Sequence, residues 1–164
     1  MTRRGPFRLE IPTSHIEGIG RVCATWPFVE GGLERIIWRL TPVDDNEGQA
    51  LTTHMSLPQK IDAMLTLASI KRSLDSDVQN QIKALANKIR GENGLAARRN
   101  EIIHSRVIMP PILADEAIRM VFKMRGKRVA HAKPVTSQEY FDLADDMAEA
   151  VNDIVEIIHA LRTV

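Results

Sequence analysis

From Tyr140 to the end of the chain the apolar residues keep a single spacing. Tyr140, Leu143, Ala144, Met147, Val151, Ile154, Ile158 and Leu161 recur every three or four positions. Only an α-helix, at about 3.6 residues per turn, gathers such a set onto one face. Opposite them stand Asp142, Asp145, Asp146, Glu149, Asp153 and Glu156, so the helix has an apolar stripe and an acidic, solvated back. Thr136 and Glu139 have capping-box spacing and mark its start. A stripe of this length must be covered by other elements, and the rest of the chain supplies them in the same period.

Between Ser14 and Leu40 the apolar positions Ile16, Ile19, Val22, Cys23, Trp26, Val29, Leu33, Ile36, Ile37 and Leu40 predict a helix. Pro27 and the Gly31–Gly32 pair are expected to bend or split it, and Cys23, beside Trp26, is expected in the core. Residues 41–48 read as a loop by composition. A second helix over Leu57–Arg72 starts with Ser56 as N-cap and Pro58 in its first turn. A third begins at Asp75 or Ser76 on the stripe Val78, Ile82, Leu85 and Ile89, whose phase continues through Ala96, Asn100 and Ile103. Gly91 and Gly94 predict a kink or short break there. Pro110 and Pro111 stop this run. Ile118–Met124 and Arg128–Val135 then flank Arg125-Gly126-Lys127 as a β-hairpin. The expected fold is all-α: an antiparallel bundle of four to five helices in one domain over residues 1–164, with residues 1–13 as an N-terminal extension and a small hairpin before the last helix.

Several classes of function fall away. Hydrophobic residues make up 44% and charged ones 26%, which fits a globular chain rather than a disordered one. The longest apolar run, Val107–Ala114, is far short of a membrane span and contains two prolines. The start of the chain is charged where an export leader would be apolar, and a single cysteine excludes a disulfide framework. A cytoplasmic protein without a membrane partner is expected. No phosphate-binding loop or dinucleotide fingerprint occurs, and His15, His54, His104, His131 and His159 lack metal-ligand spacing, so neither a metal nor a cofactor is expected. No convincing helix-turn-helix pair with a basic second helix supports a DNA-binding regulator.

The net charge of +1 conceals an asymmetry. Residues 71–133 carry fourteen basic and six acidic side chains, while residues 136–164 carry one basic and seven acidic. The basic middle can attract a polyanion, and within it lies Ala97-Arg98-Arg99-Asn100-Glu101-Ile102-Ile103-His104-Ser105-Arg106. On a helix Asn100 and His104, four apart, share a face, so the amide can orient the imidazole. Arg99 is about 140° round the axis from His104, so the two meet at one spot only if the guanidinium swings round or a second copy completes the site. An imidazole that moves protons at a ribose 2′-OH or at a leaving oxygen, with an arginine on the phosphate, supports RNA cleavage without a metal.

At Arg99-Asn100-Glu101-Ile102-Ile103-His104 the chain resembles the HEPN family, whose signature is an arginine, a polar residue that is often Asn, and a histidine four to six positions after the arginine. The resemblance implies an all-α bundle that dimerises through its motif helix. In many members it implies a metal-independent endoribonuclease leaving a 2′,3′-cyclic phosphate, often a toxin paired with an antitoxin or a phage-defence protein. Carried over, His104 is the acid/base, Arg99 binds the phosphate and transition state, and Asn100 positions them. Arg98, Ser105 and Arg106 are candidate RNA contacts. The alternative is a non-catalytic HEPN-like module that binds a nucleotide, RNA or a protein partner, and the acidic last helix suits a basic one.

Overall fold

The computed structural model describes residues 11–108, 117–125 and 127–161. Six helices and three strands follow in the order α1 (Thr13–Leu40), α2 (Asp45–Thr52), α3 (Leu57–Ile70), α4 (Ser76–Arg90), α5 (Leu95–Ile103), β1 (Arg106–Ile108), β2 (Ala117–Arg125), β3 (Lys127–Val135) and α6 (Ser137–Leu161). The chain is predominantly helical with a small sheet before the last helix, as its periodicity predicts. No helix among the described residues is long and apolar enough to cross a membrane. Pro110, Pro111, Gly126 and residues 1–10 of the N-terminal extension lie outside the described residues.

The two long helices form the spine. A methyl at Gly18 would meet Tyr140 Cβ at 2.7 Å, and one at Gly32 would meet Ile154 Cγ2 at 2.6 Å. Both helices advance by fourteen residues between these contacts, so α1 and α6 run parallel, not antiparallel. The antiparallel strokes come from α4 and α5. Lys88 reaches Asp153 at 3.0 Å and Glu149 at 3.5 Å, Arg98 pairs with Asp146, and Glu101 lies near Glu139 through shared cations. The chain therefore descends along α6 through α4 and α5, turns in the sheet, and climbs again as α6. The start of α1, the end of α5, the sheet and the start of α6 meet at one end of the bundle.

The core is the sum of the stripes. Val22, Val29, Leu33 and Ile36 of α1, Ile61 and Met64 of α3, Ile82, Leu85 and Ile89 of α4, and Leu143, Met147, Ile154 and Ile157 of α6 are almost fully buried. On α6 the buried face runs through Ala150 and Ile157, while Val151 and Ile158 of the expected stripe are only partly buried. Gln59 Oε1 accepts from Ser56 N (2.8 Å) and Ser56 Oγ (2.9 Å), closing the start of α3 where Ser56 and Pro58 predict it.

Four expectations are corrected. α1 is not split at Pro27 or Gly31–Gly32 but continues as one helix from Thr13 to Leu40. Pro27 is exposed, so the Cys23 carbonyl that lacks its donor lies on the solvent side, where water can serve it. Cys23 itself is exposed, because the buried face passes through Val22 and Trp26 and turns away from it. The loop at 41–48 holds the start of α2: Asp44 accepts from Asn46 N (2.8 Å) and Glu47 N (2.9 Å), and Glu47 accepts from Asp44 N (3.1 Å). This capping box sits without an apolar stripe, and α2 is held instead by Trp38, whose ring covers Gly48 and whose Nε1 donates to Thr52 (3.1 Å). Finally, the α4 phase does not continue into α5. Gly94 is packed so tightly on the preceding turn that a Cβ would lie 2.6 Å from Gly91 N and from Ile89 O, and after this break Leu95 and Ile102 are buried while Asn100 is exposed.

The sheet has the antiparallel order β1-β2-β3. The hairpin is the expected one, with Arg125 opposite Lys127, and β1 adds a three-residue strand pairing Val107 with Arg119 that no periodicity announced. Gly18→Ala is expected to destabilise the fold by about 1–3 kcal/mol, because the clashing Tyr140 Cβ is fixed to backbone. Gly20→Ala, with nothing within 4 Å of the added methyl, is expected to stabilise it by roughly 0.5–1 kcal/mol. Thermal unfolding followed by circular dichroism checks the opposite signs.

Candidate functional site

The segment singled out in the sequence lies on α5, a helix of nine residues, too short to persist alone and held by what its side chains reach. Arg98 reaches Asp146 of α6. Arg99 turns to α1, its guanidinium carbon 5.7 Å from the centroid of the buried Trp26 ring. Its Nη1 donates to Asn100 Oδ1 at 3.0 Å, and its Nε is buried with no hydrogen-bond partner. Glu101 turns to the sheet, and Ile102 enters the core. His104 is the C-cap, with its backbone N–H on Asn100 O at 3.0 Å. Its imidazole is exposed, and among the described residues no side-chain hydrogen bond or ion pair engages it. Ser105 Oγ donates to Ile102 O at 3.0 Å, and Arg106 opens β1 with its side chain exposed.

The motif residues thus come together in part. Asn100 and Arg99 touch, but the Asn100 side-chain oxygen is occupied by Arg99 rather than turned to the His104 ring, and the tie between Asn100 and His104 is through backbone. Arg99 is drawn to α1, away from the helix end that carries His104. Arg98, a candidate RNA contact, is committed to an ion pair with α6.

Two hollows flank α5. On one side an apolar groove of about 520 Å³ is lined by Ile11, Ile19, Ile102, Ile103, Val107 and Ile108, with Ser105 and Arg106 at its margin. On the other a polar cleft of about 240 Å³ is lined by charged groups from four elements, among them Arg98, Glu101, Arg119, Lys133, Glu139 and Asp142. At its floor Arg119 is buried, with Nη2 2.8 Å from Glu101 and 3.3 Å from Glu139, and Lys133 lies 3.5 and 3.8 Å from the same two carboxylates. This lock joins α5, the hairpin and α6. Beside it His15 Nε2 lies 3.3 Å from Val135 O, and the His15 and Tyr140 rings meet edge to face at 5.7 Å.

Sequence reasoning missed this cluster. Its one visible signal is Arg119, a lone charge inside the apolar run Ile118–Phe122, which in a strand must either face water or find carboxylates. Glu139, read as a capping residue, gives its carboxylate to Arg119 and Lys133. Elsewhere the Lys88 ammonium is partly desolvated, which lowers its pKa, but the hydrogen bond and charge of Asp153, with Glu149 behind it, prevail and hold it above the usual range. No group of three or more His, Cys, Asp or Glu placed to hold a metal ion occurs among the described residues.

No protein-family model matches the chain, and comparison with curated proteins and with solved structures gives no match either.

Tyr140 makes the cluster measurable, since it is the only tyrosine in the chain. Burial, opposed by the charge of Arg119 and aided by that of Glu139, pushes its phenol above the ordinary value. The folded state therefore favours the neutral phenol. That contribution to stability is complete below about pH 10 and is lost as pH rises through the folded midpoint. Phenolate absorbance is expected to titrate above the range of the unfolded chain. Tyr140→Phe, which removes a buried hydroxyl with no hydrogen-bond partner, is expected to change stability at neutral pH by less than about 1 kcal/mol and to flatten the alkaline loss.

Proposed function

We propose that the chain is a metal-independent endoribonuclease of the HEPN type. The observation that carries this reading is the exposed imidazole of His104 at the C-terminus of α5, about one helical turn after the Arg99–Asn100 pair. Its setting agrees with an anionic substrate. The positive N-terminal ends of α1 and α6 and the basic sheet gather at the same end of the bundle, whereas the acidic residues of α6 run along its side.

In this reading one His104 imidazole accepts the 2′-OH proton as the oxygen attacks the adjacent phosphorus. A protonated imidazole returns a proton to the departing 5′-oxygen, and the product is a 2′,3′-cyclic phosphate. Arg99 stabilises the charge that builds on the phosphate. Because Arg99 leans towards Trp26 and away from His104, the reading includes a homodimer in which a second copy covers the apolar groove beside His104 and completes each site. A toxin held by an antitoxin, or a phage-defence nuclease, is the role such an activity serves.

A second reading, a non-catalytic module binding a nucleotide, RNA or a protein, is favoured by the hold of Trp26 and Asn100 on Arg99, which makes that residue a part of the helix packing.

RNA cleavage assays with purified protein separate the two. His104→Ala and Arg99→Ala are each expected to lower cleavage by roughly 10²–10⁴-fold with the helical spectrum retained, and Asn100→Ala to do less. Cleavage is expected to persist in EDTA and to leave a cyclic phosphate. Cleavage that survives His104→Ala or requires Mg²⁺ overturns the mechanism, and folded protein that cuts no RNA leaves the binding module.

A further inference from the structure

At the end of the bundle remote from His104, α1, α2 and α6 enclose a pocket of about 250 Å³ lined by Arg35, Trp38, Arg39, Asp45 and Ile158. Ile158 stands about 27 Å along α6 from Tyr140, at 1.5 Å per residue. A ligand held here is therefore separate from the ribonuclease reading. One wall of the pocket is fixed by packing. Gly48 of α2 lies against the Trp38 ring, Trp38 Nε1 donates to Thr52 at 3.1 Å, and the Thr52 hydroxyl donates to Gly48 O at 2.9 Å. The indole is thus held in one orientation.

The clamp on α2 accounts for the aromatic residue but not for the two arginines beside it. Arg35, Trp38 and Arg39, spaced i, i+3 and i+4, share one face of α1. Arg35 is exposed and makes no hydrogen bond or ion pair among the described residues. Arg39 meets Asp45 only at 3.9 Å, beyond hydrogen-bond distance, an exposed contact that a ligand can displace at small cost. An anion is ordinarily repelled from the C-terminal end of a helix, where free carbonyls form a negative pole. Here those carbonyls are occupied. Thr41 Oγ1 donates to Ile37 O (3.0 Å) and Trp38 O (3.2 Å), and Lys71 Nζ donates to Arg39 O (3.4 Å), which also adds positive charge to that helix end.

We propose that this pocket binds a small phosphate monoester that carries a planar ring, with Arg35 and Arg39 on the phosphate and the ring against Trp38. A phosphate dianion matches the two guanidiniums in charge, and each planar fork can take two of its oxygens at once. A flat ring is the matching half of the ligand, because an indole already held in one orientation loses little freedom when a ring packs on it. Ile158 supplies an apolar wall beside it. The Asp45 carboxylate opposes further negative charge, so a monophosphate fits better than a polyphosphate. Nucleoside monophosphates and simple aryl phosphates share this chemistry, and the test separates them.

The test is calorimetric titration of the full chain with adenosine 5′-monophosphate, phenyl phosphate, adenosine and inorganic phosphate. At least one of the two ring-bearing phosphates is expected to bind at one site per chain, roughly tenfold or more tighter than adenosine or inorganic phosphate. Tighter binding of the nucleotide identifies a nucleotide as the source, and tighter binding of phenyl phosphate an aryl phosphate. Arg35→Gln and Arg39→Gln are each expected to weaken that binding by roughly tenfold or more while thermal unfolding is unchanged, and Arg35→Lys, which keeps the charge but loses the fork, to restore only part of it. The chain has two tryptophans, so in Trp26→Phe the emission of Trp38 alone is expected to change as phenyl phosphate saturates. Absence of saturable binding of both ring-bearing phosphates overturns the proposal. So does binding that survives both arginine substitutions, or inorganic phosphate binding as tightly as either ring-bearing one. The readout is binding, so the outcome does not depend on whether the chain cleaves RNA.

Discussion

The close parallel packing of α1 on α6 is the constraint on which the rest of the molecule depends. Gly18 and Gly32 remove side chains where Tyr140 and Ile154 arrive, so the two longest helices approach closely at points about four turns apart. Once these helices run the same way, their N-termini share one end, and α4 and α5 must descend to it antiparallel to α6. The end of α5 that bears His104, the buried Arg119 and the root of the hairpin all fall at that end for this reason.

α5 is where the packing of the bundle positions the candidate site residues. Within four residues it reaches three neighbours: Arg98 goes to α6, Arg99 to Trp26 of α1, and Glu101 to Arg119 of β2. A buried guanidinium is costly unless carboxylates meet it, and here two glutamates from different helices do so while staying partly open to water. The lock therefore acts less as a store of stability than as a register, setting where the sheet stands relative to the motif helix. Most charged groups around α5 are spent in this way. His104, the C-cap of α5 and outside the lock, keeps its imidazole exposed.

Much of the helical architecture was legible because burial imposes a period. The stripes of α3, α4 and α6 identify the buried faces closely, Ser56 with Pro58 marks a helix start, and Gly91 and Gly94 mark a break. Signals without a period were lost. α2 has a capping box but no stripe, because it is held by one tryptophan, and β1 is three residues long, too short to alternate visibly. Cys23 misled because it neighbours the buried stripe in sequence, while the packing direction of α6 decides which edge of that stripe is covered. In the site, the Arg99–Asn100–His104 spacing was visible, but the partners of each side chain were not, since Trp26, Asp146 and Arg119 come from distant parts of the chain.

The sequence by itself determined that α1, α3, α4 and α6 are helices, that a hairpin precedes the last helix, and how basic and acidic residues are partitioned along the chain. Each of these follows from local periodicity, turn chemistry or simple charge. Tertiary structure alone decided that α1 and α6 are parallel, that Asn100 serves Arg99 instead of His104, and that Glu139 closes an ion-pair lock where it had the spacing of a helix cap. These are competitions among alternative partners of similar local merit. They are settled by which groups the close approach of two glycine-bearing helix faces brings within a few ångströms, a quantity that no window along the chain contains.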